Sequence, residues 1–380
     1  MNDTLDLDEL TALSLARQFP AQSVGPLELL ARVGPVQTQT ARSAFLGLAA
    51  RSALVTHAAL TAAYEAADVV RGSTLRGTVH TSTSAQHRVL DAVTRVGQRR
   101  LWERSLLRED GARLPDGTLE QVWAATEAFA ADTWRTPDEL QDHLVAWLGD
   151  HGADPSRVAR PAGRYLSFGH GGLVRRPLRG GWDGQGAPCY RAAATVTGLD
   201  LPPASAALRE AVLTHVRCHG PTTREDVAWW AGLTLRAVDA AVSELGGAAL
   251  VSSAGPDGRR YLDVPDAPPP VADPPDVRLL PEFDALFCAY APRGRDRFVS
   301  AEHHALLWSA ANGQVRPPLL VDGRITGWWR LTPATGRTRA VEVTSFAGTR
   351  RPRTGELAEA VARVEVALGI TVTGASWSRA

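Results

Sequence analysis

The succession of helical and hairpin patterns restricts the fold of this chain more than any other feature. Ala206 to Cys218 carries Leu208, Val212, Leu213 and Val216 at helical spacing and stops at Gly220. Thr222-Thr223-Arg224-Glu225 has the spacing of a capping box and opens a short helix through Trp230 that Gly232 ends. Thr234 then caps a third helix with Leu235, Val238, Val242 and Leu245 on one face. A hairpin follows, from Ala249 to Ser253 and Arg259 to Val264 around a Gly255-Pro256-Asp257-Gly258 turn. Three short helices and a hairpin are the layout of a winged helix, whose third helix usually faces DNA.

The same order appears twice upstream. Residues 118–131 and 137–148 read as helices, the second opened by the capping box Thr136-Pro137-Asp138-Glu139. A third segment spans 155–168, and a Gly-rich hairpin from Leu173 to Arg191 turns at Asp183-Gly184-Gln185-Gly186. Nearer the N-terminus come helices near 8–18 and 26–32 and a long Ala-rich helix from about 52 to 67. A hairpin is expected around Arg71-Gly72-Ser73-Thr74, with Arg76-Gly77-Thr78-Val79-His80 as its second strand. After residue 264 the style changes: Pro265, Pro268, Pro269, Pro270, Pro274 and Pro275 make a stiff linker. Beyond it, short strands alternate with turns before an amphipathic helix at 355–368. The expectation is an α+β chain with three tandem winged-helix motifs (1–115, 116–200, 201–265), a linker (266–275) and a β-rich, barrel-like C-terminal domain (276–380).

Charge adds chemistry to this outline. The chain of 380 residues contains no lysine, so all 41 basic residues are arginine, and its formal charge is zero. No side-chain amine is available for Schiff-base catalysis. The arginines are clustered: Pro155 to Trp182 holds six and no acid, and Arg330 to Arg353 holds six against Glu342 alone. Arg293, Arg295 and Arg297 crowd another loop, and Arg88 to Arg113 is a basic helical stretch. Several basic blocks in a neutral chain suit an anionic groove, since guanidinium forks match phosphates. Arg350, Arg351 and Arg353, with Arg175, Arg176 and Arg179, are the expected phosphate contacts. The N-terminus is acidic and no run approaches a membrane span, which points to a cytoplasmic protein. Cys189, Cys218 and Cys288 are widely separated and suit reduced thiols. His215, Cys218-His219 and His303-His304 lack ligand spacing, so neither metal nor cofactor is expected.

The remaining signal is Gly34-Pro35-Val36-Gln37-Thr38-Gln39-Thr40. Gly34 and Pro35 end a helix, and Val36, Thr38 and Thr40 favour extended backbone. With a side-chain period of two, Gln37 and Gln39 point the same way. Paired amides orient a water or set dipoles beside a developing cation, but they cannot transfer protons by titrating.

With Val36-Gln37-Thr38-Gln39, Arg76-Gly77-Thr78-Val79-His80, Pro221 to Leu245 with its Trp229-Trp230 pair, Leu280-Pro281-Glu282-Phe283-Asp284, and Val321-Asp322-Gly323-Arg324-Ile325-Thr326-Gly327-Trp328-Trp329, the chain resembles the winged-helix DNA glycosylases of the AlkZ and YcaQ type over most of its length. Gln rather than Asp at position 39 places the resemblance on the AlkZ-like side. It implies a DNA channel, Gln37 and Gln39 as catalytic residues, and release of alkylated purines from double-stranded DNA, including unhooking of interstrand crosslinks as self-resistance. A monomeric, monofunctional hydrolase is expected. The competing reading is a winged-helix transcription regulator in which the glutamines read bases or lie idle.

Overall fold

The computed structural model describes residues 4–107, 118–152, 166, 168–271, 273–309, 313–333 and 338–380. Helix α1 (Leu7–Gln18) begins at Asp6, whose carboxylate accepts the Glu9 N–H while Glu9 accepts the Asp6 N–H. Helix α2 (Pro26–Val33) carries Pro26 in its first turn and ends at Gly34, which takes a φ of 85°. Strand β1 (Val36–Gln37) follows directly. The helix expected from about 52 to 67 is shorter and starts later, as α4 (His57–Glu65), and a separate helix α3 (Ser43–Ala49) precedes the expected range. Local side-chain bonds explain the late start. Ser52 Oγ donates to the Val24 carbonyl and accepts the Val24 N–H, and Thr56 caps α4 by accepting the Ala59 N–H.

Strands β2 (Val69–Thr74) and β3 (Thr78–Thr83) form a hairpin whose turn is Leu75-Arg76-Gly77. Arg71 to Thr74 is therefore strand rather than turn, because the positive φ values that reverse the chain belong to Arg76 (58°) and Gly77 (71°). Helices α5 (Ser84–Leu107), α6 (Thr118–Phe129) and α7 (Pro137–Asp150) come next, α7 capped by the expected Thr136–Glu139 box. The third segment expected at 155–168, with Arg157, Arg160 and Arg164, lies outside the described residues except for 166 and 168. Strands β4 (Leu173–Pro177) and β5 (Pro188–Ala192) make the second hairpin, followed by α8 (Ala193–Thr197). The two hairpins are not separate. They join in one antiparallel sheet ordered β1-β3-β2-β4-β5, coupled where Gly72 faces Val174. A Cβ at Gly72 would stand 2.6 Å from His87 Cε1 and 3.0 Å from the Leu173 carbonyl, so this contact requires glycine.

Helices α9 (Ala204–His219), α10 (Arg224–Ala231) and α11 (Leu235–Ala249) precede a hairpin of β6 (Val251–Ala254) and β7 (Arg260–Asp263), the order read from the sequence. Val212, Val216, Val227, Val238, Leu250 and Leu262 close over one apolar core. The α10 cap differs by one residue from the expected box. Thr223 is the cap, because the buried Asp226 accepts both its N–H and its hydroxyl.

The last third holds β8 (Arg278–Leu279), α12 (Ala285–Cys288), α13 (Ala301–Leu307), β9 (Trp308–Ser309), β10 (Gln314–Val315), β11 (Pro318–Val321), β12 (Arg324–Leu331), β13 (Thr338–Ser345), α14 (Thr354–Leu368) and β14 (Thr371–Arg379). Its main sheet runs β14-β13-β12-β11-β8, with β14 parallel to β13 after the α14 crossover. It is an open, curled sheet with β8 and β14 at its edges. Leu357, Val361 and Val364 of α14 pack with Leu319, Trp329 and Val343 of the sheet and with Phe45 and Leu48 of α3. The apolar core thus crosses the proline-rich stretch and binds the two ends of the chain together. Arg51 fixes the same junction with two bonds to the buried Asp284 carboxylate, at 2.8 and 2.9 Å.

Candidate active site

Gln37 is the last residue of β1 and faces His80 across the ladder to β3. Thr38 extends the pairing by one bond, its N–H donating to the Val79 carbonyl at 2.7 Å. The strand ends there, so Gln39 lies in the following loop rather than on the strand. Gln37 is buried and Gln39 exposed. Both side chains nevertheless turn to the β2–β3 hairpin. Gln37 Oε1 accepts from Arg76 Nη2 at 2.9 Å, and Gln39 Oε1 accepts the Val79 N–H at 3.2 Å. A guanidinium and a backbone N–H can only donate, so oxygen rather than nitrogen must face them. Each amide keeps an NH2 group and one oxygen lone pair outside these contacts.

The backbone carrying the pair is held from behind. Arg71 Nη2 donates to the Thr38 carbonyl at 2.7 Å. Thr81 Oγ1, itself 2.6 Å from the Tyr64 hydroxyl, donates to Thr38 Oγ1 at 3.3 Å. From the β4–β5 loop, Gln185 Nε2 donates to the Gln39 carbonyl while its Oε1 accepts the Ala41 N–H. Stacking of Trp182 on Tyr64, with ring centroids 4.4 Å apart, seats that loop. Gln185 was visible in sequence only as part of a turn, since no local pattern tells which loop it meets.

Burial without carboxylates sets the electrostatics. Among the described residues neither Arg71 nor Arg76 forms an ion pair. Desolvation, helped by the nearby Arg175, lowers the Arg71 guanidinium to about 10, and desolvation lowers Arg76 as well. His80 is pushed down to about 3, first by burial and then by Arg76, so it is neutral at physiological pH. Its Nδ1–H donates to the Thr78 carbonyl at 3.1 Å. Burial raises the Tyr64 hydroxyl to about 12. The amides therefore sit among groups that do not titrate near neutrality. An acid does reach the far end of the loop: Glu282 accepts from Arg42 at 2.7 Å and from Ser43 Oγ at 3.4 Å.

The expected phosphate arginines fall into distinct settings. Arg350 is held twice by Asp322 and once by Glu356, and these bonds raise its pKa. Arg351 lies over the Trp377 ring at 4.4 Å, and the Arg353 side chain is 82% exposed. Arg175 is half-buried over Tyr190, Arg176 is exposed over Trp134, and Arg179 is exposed on the loop that carries Gln185. The histidines noted in sequence are packing groups: His215 donates to the Ala289 carbonyl, Gln18 bonds His219, and His303 stacks on Phe346. No described helix is long and apolar enough to cross a membrane.

The α+β frame has a counterpart among known proteins. The family model for AlkZ-like DNA glycosylases matches residues 30–366, and the chain belongs to that family. Among solved structures it is similar to the Streptomyces sahachiroi DNA glycosylase AlkZ, with a TM-score of 0.77 over 99% of this chain and 100% of that one, at 18% identity. At that identity the likeness speaks for the fold. A comparison with curated protein sequences found no match.

Proposed function

We propose that this chain hydrolyses the N-glycosidic bond of N7-alkylated purines in double-stranded DNA, including purines joined in an interstrand crosslink, with Gln37 and Gln39 as its catalytic residues. The observation that carries the reading is the pair of amides fixed by Arg76 and the Val79 N–H, in a chain of this family. An N7-alkylated purine already bears positive charge and departs without a general acid. What the protein must add is orientation of water and stabilisation of an oxocarbenium-like sugar. Preorganised amide dipoles supply both, and the lack of a carboxylate bonded to either amide among the described residues fits a substrate activated beforehand. A crosslinked base is tethered to the other strand and cannot be flipped into a closed pocket. An exposed Gln39 beside a surface loop suits that constraint.

On this reading the three helix-and-hairpin segments act as tandem winged-helix motifs around the duplex, and the protein works as a monomer. Arg351, Arg353, Arg176 and Arg179 are assigned to phosphate, with Arg175 behind them. Arg350 is better described as a brace for the loop, since two carboxylates already hold it. With no lysine in the chain, the abasic sugar is left without a side-chain imine, which makes the enzyme monofunctional. Incubation with a duplex carrying one N7-methylguanine tests this. Free base should appear while the strand stays intact until alkali is added, and borohydride should trap no adduct with a side chain. Strand cleavage in step with base release would refute the monofunctional assignment.

A further inference from the structure

We propose that Arg76 is a positioning residue for Gln37, fixing its amide as a hydrogen-bond donor and tying it to the end of α10. This rests on the reading that Gln37 and Gln39 act at the glycosidic bond, and it goes beyond it by dividing the work between them. Arg76 occupies the left-handed region at a φ of 58°, which a non-glycine residue rarely adopts. From that turn its guanidinium reaches two acceptors at once. Nη2 donates to Gln37 Oε1 at 2.9 Å, and Nη1 donates to the Trp230 carbonyl in the last turn of α10. Glycines make room for the arrangement. A Cβ at Gly232 would stand 3.3 Å from Arg76 Cγ, and a Cβ at Gly97 of α5 would stand 2.7 Å from the Gly232 carbonyl.

A guanidinium without an ion-pair partner polarises the amide it binds. Electron density moves toward Oε1, so the Gln37 NH2 becomes a stronger donor and the remaining lone pair of its oxygen a weaker acceptor. Gln39 differs, because among the described residues its oxygen meets only a neutral backbone N–H. Gln37 accordingly donates to an acceptor on the departing purine, which gains electron density as the glycosidic bond breaks. Gln39, in the exposed loop, holds the water. Arg76 touches neither base nor water and acts through Gln37.

The test is single-turnover base release from an N7-methylguanine duplex by the full chain, as the parent and carrying R76A, R76K, R76Q, Q37A or Q37E, with duplex affinity and thermal melting measured alongside. R76A should slow release about 10- to 100-fold, as for loss of one preorganised polar contact, while affinity moves less than about threefold. Millimolar guanidinium should restore part of the R76A rate and none of the Q37A rate. R76K keeps the charge but cannot fork between Gln37 and Trp230, so it should fall between parent and R76A and serves if R76A does not fold. R76Q keeps a donor without the charge and should stay slow. Q37E should be as slow as Q37A, because its carboxylate pairs with Arg76 and offers no donor. Parental rates for R76A and R76Q, or a fully active Q37E, would overturn the proposal. If Q37A itself releases base at the parental rate, the reading of the glutamines fails instead. A slow Q37A with a fast R76A sinks the role of Arg76 alone.

Discussion

Replacing Gln37 or Gln39 by Ala removes a group already oriented by a fixed donor, so the loss should appear in the chemical step. By analogy with deletion of one donor at a charged transition state, each variant should slow base release by roughly 10²–10³-fold with little change in DNA affinity. The two losses should be less than additive, since both groups serve one bond cleavage. Gln39→Asp should stay active, because a carboxylate in the exposed loop stabilises the sugar cation by charge. Neither amide titrates and His80 is neutral down to about pH 3. The ratio of catalysed to spontaneous release from the same duplex should therefore be flat from pH 6.5 to about 9, and a bell-shaped ratio would contradict the amide mechanism. The motif itself was legible in sequence. The direction of its amides was not, because the donors that turn them stand some forty residues downstream, and Gln39 lies one residue past the end of the pairing.

At the scale of elements, the coupling of the two N-terminal hairpins carries the amides. Gly72 is where β2 meets β4, and an added Cβ would strike the buried His87 ring and the Leu173 carbonyl. Gly72→Ala should cost ~1–3 kcal/mol, read as a lowered melting temperature in calorimetry. Base release should slow with it, since the β4–β5 loop delivers Gln185 to the Gln39 segment. An unchanged melting temperature would mean the strands part readily. Helices with strong caps, such as α7 at Thr136 and α11 at Thr234, were legible because the signal is local. So was the β6–β7 hairpin, whose Gly-Pro-Asp-Gly turn is local too. The merging of two hairpins into one sheet was not, because pairing between strands a hundred residues apart leaves no mark in either segment. The Ala-rich stretch from 52 misled for a related reason: helix propensity there yields to bonds from Ser52 and Thr56.

Across the whole molecule, buried neutral histidines set the acid limit of stability. Burial lowers His80 to about 3 and His215 to about 4, and it lowers His87 and His219 too. A histidine with a depressed folded pKa binds its proton in the unfolded state first. The stability it contributes is complete above about pH 6.5 and is lost as pH falls toward the folded values, at up to ~1.4 kcal/mol per pH unit for each group. Melting temperature should thus hold from pH 7 to 8 and drop steadily from pH 6.5 to 4.5; a constant melting temperature over that acid range would contradict the burial. DNA affinity, resting on arginine and phosphate, should fall ~10³-fold or more over a few-fold rise in salt if about six phosphates are engaged, and a flat dependence would refute the proposed groove. The basic blocks were legible in sequence, but not which arginines are spent within the protein: Arg350 meets Asp322 only because β11 and the loop before α14 converge.

In the proposed mechanism two neutral amides, held by Arg76 and the Val79 N–H, break the glycosidic bond. Its most direct test is free N7-methylguanine measured by chromatography in single turnovers, with excess parental protein and with the Q37A/Q39A double variant, binding being followed in parallel. The parent should release base far above the spontaneous rate, and the double variant near background at equal duplex occupancy. Tight binding by the parent with no base above background, or equal release by both proteins, would contradict the mechanism.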